Sequence, residues 1–277
     1  MRATAPPLAC LLLTAAAATI PPSPARAHTV TEAFDALLVL PDGSTRHLPA
    51  LFHSPDAAGP RPALVIVPDE AGIDGRSNRL ADRAVAAGWV AVETDPDAVS
   101  LDWASALPPR EPRRLGDWLR AFAGILATDP RVDPHRIAVV GLGSGGRAAL
   151  HAAASAPKGP GASAAPAAAF AAHAAFYPGC DALAAEGAAP PAVPALVLLP
   201  GADEPPGACG ELDGDRLRLE RLEGATYAWD LPEGSAAQDE ARRRLGDSAA
   251  NSVQPDPGAA AAAERSLMRF LRDALGG

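Results

Sequence analysis

The residues most able to do chemistry are gathered in one glycine-rich run, Gly141-Leu142-Gly143-Ser144-Gly145-Gly146. A turn of this kind between a strand and a helix has two main uses. Its backbone N–H groups can cradle a phosphate, or its strained geometry can project a nucleophile. The run lacks the lysine of a P-loop and follows the third strand of its series rather than the first, which argues against a nucleotide. Ser144 is the only hydroxyl in it, and serine is also a common residue at the start of a helix. Elsewhere, Asp69-Glu70 place two carboxylates in one loop. Such a pair suits a cationic ligand or a metal, or is simply solvated. The six histidines are scattered: His28, His47 and His53 near the start, His135 in a loop, His151 in the helix after the glycine run, and His173 on the next strand. No metal-binding spacing emerges, and no cofactor is expected.

The elements that must hold these residues alternate. Ala63–Val67 reads as a buried strand closed by Pro68, and a helix over about 76–87 ends before Gly88, a C-cap glycine. Trp89–Val92 is the next strand. Leu115, Trp118, Leu119, Phe122, Ile125 and Leu126 fall on one face of a helix that stops at Asp129-Pro130. Ile137–Val140 leads into the glycine run, and the helix beyond it reaches about Ala154. Residues 156–168 are a low-complexity loop. Strands follow at about 172–176 and 195–199, with a weaker one at 216–222. Residues 232–258 read as an excursion with little regular structure, and an amphipathic helix carrying Leu267, Phe270, Leu271 and Leu275 closes the chain. Strands separated by helices imply an α/β fold with a mostly parallel central sheet flanked by helices on both faces. The less apolar segment 33–53 adds antiparallel edge strands.

Residues 1–27 carry the marks of a signal peptide: Arg2, the apolar run Leu8–Ile20 and the cleavage site Ala25-Arg26-Ala27. The apolar run, about 13 residues, is short of the about 20 needed to span a bilayer. The expectation is an exported, periplasmic or secreted protein with no membrane span in the mature chain, whose residues 28–277 form one domain. Loss of Arg2 and Arg26 takes the formal charge from −9 to −11. An acidic chain of this kind repels nucleic acid and anionic membranes. Cys180 and Cys209 remain after cleavage, and an even pair in an oxidising compartment reads as a disulfide, with two buried thiols as the alternative.

Four segments in order resemble one family. Asp129–Gly141 is similar to the approach to the nucleophile turn in dienelactone hydrolases, and Phe170–Cys180 to the strand that follows. Pro200-Gly-Ala-Asp203 resembles the turn of the catalytic acid, and Gly224-Ala-Thr-Tyr-Ala-Trp-Asp230 the closing base motif. The resemblance spans roughly residues 35–275 and implies the α/β-hydrolase fold, with nucleophile, acid and base in that chain order. It also implies a degenerate triad. In the family register Gly143 stands at the nucleophile position and Tyr227 at the base, with Asp203 alone retained as acid. Tyrosine, with an ordinary pKa of about 10, is protonated at neutral pH and cannot replace imidazole as a base. Ser144 then contributes a backbone N–H to the oxyanion hole. As an alternative nucleophile it would put Leu142 where the pattern has glycine. Asp69 and Glu70 fall in the oxyanion loop, where negative charge opposes a developing oxyanion. The expectation is an impaired or inactive hydrolase homologue with a small-molecule ligand in its cleft. The alternative is an active ester or lactone hydrolase using Ser144 with an unconventional base.

Overall fold

The computed structural model describes residues 29–39, 43–94, 96, 111–154, 170–202, 207–212, 214–245 and 253–276. The predicted signal peptide, the low-complexity loop and Asp203 lie outside the described residues.

Long apolar runs make the central strands. β3 (Arg61–Val67) and β5 (Val132–Leu142) bury Leu64, Val65, Ile66, Val139 and Val140 completely, so side chains on both faces meet protein. β4 (Val90–Thr94), β6 (Ala172–Phe176) and β7 (Ala195–Pro200) are buried in the same way, while β8 (Leu217–Leu222) is only partly covered and is the far edge among the described residues. β1 (Thr29–Val39) and β2 (Thr45–Pro55) form an antiparallel hairpin, and β2 pairs antiparallel with β4. All other pairings are parallel, and the strand order is β1-β2-β4-β3-β5-β6-β7-β8. The expected parallel sheet with antiparallel edge strands is therefore what the chain builds.

Helices cover both faces. α1 (Gly75–Ala86) begins in a reciprocal cap: the Asp74 carboxylate accepts from the Arg76 N–H, and Ser77 Oγ accepts from the Asp74 N–H. It ends before Gly88, at φ 81°. α1 and α7 (Pro257–Leu275) bury Leu80, Ala84, Leu267 and Leu271 against Leu64, Ile66 and Val140. α2 (Pro112–Leu126) and α3 (Ser144–Ala153) pack on Val65, Val67 and Val139 from the other side. Burying each Leu or Phe of the α2 stripe contributes about 1.5–3 kcal/mol. Phe122 of that stripe meets Phe34, which meets Phe52, with centroids 6.2 and 6.5 Å apart, anchoring the hairpin to α2.

Two short helices were not anticipated, α4 (Cys180–Ala185) and α5 (Gly207–Glu211). A disulfide joins them, Cys180 to Cys209, with both cysteines buried. Closing a loop across 29 residues contributes about 3–4 kcal/mol by restricting the unfolded chain. Within the segment read as an excursion, residues 236–245 form α6 (Ala236–Leu245), which the sequence reading did not anticipate. This helix has no apolar stripe for periodicity to detect. It forms on good helix-forming residues and a cap, Ser235 Oγ accepting from the Gln238 N–H. Gln238 itself is buried, bonded to the Val253 carbonyl and the Gly234 N–H. Among the described residues no helix is long and apolar enough to cross a membrane.

The turn from β5 into α3 is governed by crowding. A Cβ on Gly141 would overlap the carbonyl of Gly145, and a Cβ on Gly145 would overlap the carbonyl oxygens of Val67 and Pro68. Gly145→Ala is therefore expected to cost about 3 kcal/mol or more, because only backbone could yield. Gly124→Ala, with open space at a helical position, should gain up to about 1 kcal/mol. Urea denaturation of the two variants checks the contrast, and equal stabilities would contradict it.

Candidate functional site

The chain leaves β3 for β4 on one side and later returns to β5 on the other, so the order reverses between β3 and β5. Loops leaving the carboxyl ends of these two strands diverge and open a crevice, the usual ligand position in an open α/β sheet. The β3 loop brings Asp69 and Glu70 to it, and β5 brings Gly143. The loops after β6 and β8 add Tyr177 and Tyr227.

Gly143 adopts φ 51°, ψ −118°, a conformation that costs most residues strain and glycine little. Its N–H donates to the Phe176 carbonyl at 3.0 Å, and its own carbonyl accepts from the Arg147 N–H at 3.1 Å. The positive φ falls on Gly143, while Ser144 is the buried first residue of α3. A Cβ on Gly143 would stand 2.6 Å from the Tyr227 hydroxyl and 3.1 Å from Asp69 Cβ. Gly143, Tyr227 and Asp69 are thus brought together around one point. Burial pushes the Tyr227 hydroxyl above its ordinary pKa, and the negative charges of Asp69 and Glu70 push the same way, so the phenol stays protonated.

Of the readings open for the two loop carboxylates, solvation does not hold for Asp69. It is buried and held in a bidentate ion pair by Arg76, with both N···O distances 2.7 Å. Arg76 also binds the Asp74 carboxylate at 2.8 Å. Burial opposes the guanidinium charge, but the Asp69 and Asp74 carboxylates outweigh it and hold the arginine pKa above its usual value. Arg76 Nη1 further donates to Tyr177 Oη at 3.3 Å, and Tyr177 donates to Asp230 Oδ1 at 2.7 Å. Burial raises the pKa of Tyr177 and of Asp230. Tyr177 sits edge-on to Tyr227 and to Trp229, at 5.0 and 4.7 Å, and carries an unusual φ of 40°. Glu70 is only half-buried.

Arg76, Tyr177 and Asp230 were not singled out from sequence. Tyr177 and Asp230 lie inside the two segments flagged by resemblance, but nothing in the periodicity marked them. Arg76 sits seven residues past Asp69, in the cap of the next helix, and only folding shows that it turns back.

Four of the described histidines are bonded elsewhere. His173 is buried with Nδ1–H on the Ala149 carbonyl at 2.8 Å, and burial holds its pKa down to about 3. It folds neutral, so its contribution is complete above the unfolded value near 6.5 and drains as pH falls toward 3. His151 bonds Glu186 at 3.0 Å, His53 bonds Glu93 at 2.8 Å and His47 bonds Asp35 at 2.9 Å. His135 is exposed. Among the described residues no group of three metal-binding side chains is present.

Arg76→Met should destabilise by about 3–5 kcal/mol, because Asp69 is left as an uncompensated buried charge. Adding Asp69→Asn should recover part of that loss. Urea denaturation of both variants checks this, and an additive double variant would rule out the coupling.

The dienelactone hydrolase family matches residues 48–208. A comparison with curated proteins found no match. Among solved structures, the chain is similar to a dienelactone hydrolase from Anabaena variabilis, at 15% identity and a TM-score of 0.58, over 88% of this chain and 99% of that one. It is similar to a ferulic acid esterase from Streptomyces cinnamoneus, at 15% identity and a TM-score of 0.62, over 92% of this chain and 93% of that one. A dienelactone hydrolase-like promiscuous phosphotriesterase from metagenomic libraries matches at 20% identity and a TM-score of 0.58, over 89% and 98%. At these identities the likeness is one of fold.

Proposed function

This chain belongs to the dienelactone hydrolase family, and we propose that it keeps the family's cleft while having given up acyl chemistry at its glycine turn. The observation that carries this reading is the Tyr227 hydroxyl, 2.6 Å from where a Gly143 side chain would begin. The space that an attacking Oγ or Sγ needs is taken by a phenol. That phenol is pushed toward its protonated form by burial and cannot accept the nucleophile's proton. Ser144 is a poor substitute, because the projecting backbone conformation belongs to Gly143 and Ser144 is already helical. The Asp69–Arg76 pair neutralises one of the two loop carboxylates, which leaves a polar crevice fit to hold a small molecule without attacking it.

A fluorophosphonate probe tests this directly. No adduct is expected on Ser144, and stoichiometric labelling abolished by Ser144→Ala would overturn the proposal. Gly143→Ser alone should lose about 1–3 kcal/mol from backbone strain, with the close approach to Tyr227 adding to it. Combined with Tyr227→His, part of the loss should return and ester hydrolysis should appear, with probe labelling at position 143. A well-folded double variant without either gain would count against the placement of nucleophile and base.

The protein also acts outside the cytoplasm in this reading. The buried Cys180–Cys209 disulfide supports it, since such bonds persist in oxidising compartments, as does the leader read in residues 1–27. Amino-terminal sequencing of protein from the periplasm or medium should begin at His28. Accumulation of uncleaved chain in the cytoplasm would refute it.

A further inference from the structure

Away from the crevice, three side chains on neighbouring strands are bonded in series. Thr31 on β1 meets His53 on β2, with Oγ1 to Nδ1 at 3.0 Å. His53 Nε2 meets Glu93 Oε2 on β4 at 2.8 Å. Thr31 and His53 are direct partners in the β1–β2 register, and Glu93 pairs with Leu51, two residues from His53 on the same face. Burial rises along the series: Thr31 is exposed, the His53 side chain is 15% exposed and that of Glu93 is 1% exposed.

The chemistry of these three groups fixes their roles. A carboxylate only accepts, so neutral His53 places its proton on Nε2 toward Glu93. Its Nδ1 lone pair then faces the Thr31 hydroxyl, which donates. That is the hydroxyl–imidazole–carboxylate order of nucleophilic hydrolases, which is recognised by geometry and role rather than by position in the chain. Glu93 has a further peculiarity: its second oxygen, Oε1, is buried with no hydrogen-bond partner among the described residues. A fully buried glutamate in mid-strand is costly, and here only one of its oxygens has a partner, the imidazole.

We propose that Thr31, His53 and Glu93 form a second nucleophilic site, an acyl-accepting threonine at the open edge of the sheet. Its substrates are small activated carboxylic esters that need no deep pocket. Thr31 Oγ1 attacks the ester carbonyl as its proton passes to His53 Nδ1. The tetrahedral adduct collapses with loss of the alcohol, which takes that proton, and leaves a threonyl ester. Water, activated by the same imidazole, then releases the acid and regenerates the hydroxyl. In this proposal the oxyanion would be met by backbone N–H groups on the outer side of β1, the terminal strand among the described residues. Glu93 is a positioning residue that orients the imidazole through its contact with Nε2.

The site rests on none of the reading of the glycine turn, and the location of an adduct separates the two. The full chain treated with p-nitrophenyl acetate should release a burst of p-nitrophenolate, with an acetyl group on the peptide containing Thr31. Thr31→Val, a shape-conserving change at an exposed strand position, should abolish that adduct with an unchanged melting temperature. His53→Gln should slow acylation by about 10²–10⁴-fold. Glu93→Gln should lower the acylation rate constant while leaving the KM for the ester unchanged, as expected of a group that only orients the imidazole. Absence of an adduct on Thr31, or acylation at the wild-type rate in His53→Gln, would overturn the proposal. A Glu93→Gln variant that acylates at the wild-type rate, or whose loss lies in KM alone, would remove Glu93 from the relay.

Discussion

Where β5 becomes α3, two stretches of backbone lie so close that neither can carry a side chain. Gly145 presses on the carbonyls of Val67 and Pro68 at the end of β3, and Gly141 presses on Gly145. This contact fixes the loop after β3 against the turn after β5 and makes the crevice between them a rigid feature. It also separates two kinds of glycine in one run. Positions 141 and 145 are glycine because backbone forbids anything else. Position 143 is limited by its positive φ and by two side chains, Tyr227 most closely and then Asp69. A change at 143 is therefore tied to the occupant of position 227, whereas its neighbours answer to the fold itself.

The second support of the crevice is ionic. Arg76 gathers Asp69, Asp74 and Tyr177, and Tyr177 passes the connection to Asp230. The network joins the loops after β3, β6 and β8 to the start of α1. Buried charges of this kind seldom add net stability over apolar packing, but breaking one partner away is costly. Such a network suits a site whose walls must keep one arrangement. It also accounts for a carboxylate in the oxyanion loop: Asp69 faces its arginine, so the charge is spent inside the wall.

The relay at Thr31, His53 and Glu93 has a different origin. It arises from strand register alone, because the antiparallel pairing of β1 with β2 sets Thr31 opposite His53. Residues separated by 22 and 40 positions become neighbours only when both pairings are in place.

Sequence by itself determined the layers of this protein. Apolar runs such as Ala63–Val67 can only be buried strands, and the stripe from Leu115 to Leu126 can only face a core. The glycine-rich turn, the capping glycine at 88 and the cysteine pair were legible for the same reason: each is a local constraint on backbone or bonding. The helix α6 escaped because it has no apolar stripe, and Arg76 because a side chain turning back seven residues leaves no periodic trace. Which groups surround Gly143 was decided by tertiary structure. Tyr227 arrives from a loop 84 positions later, on the far side of three intervening strands. Its distance from Gly143 depends on how those strands stack, and that is a property of packing rather than of any segment.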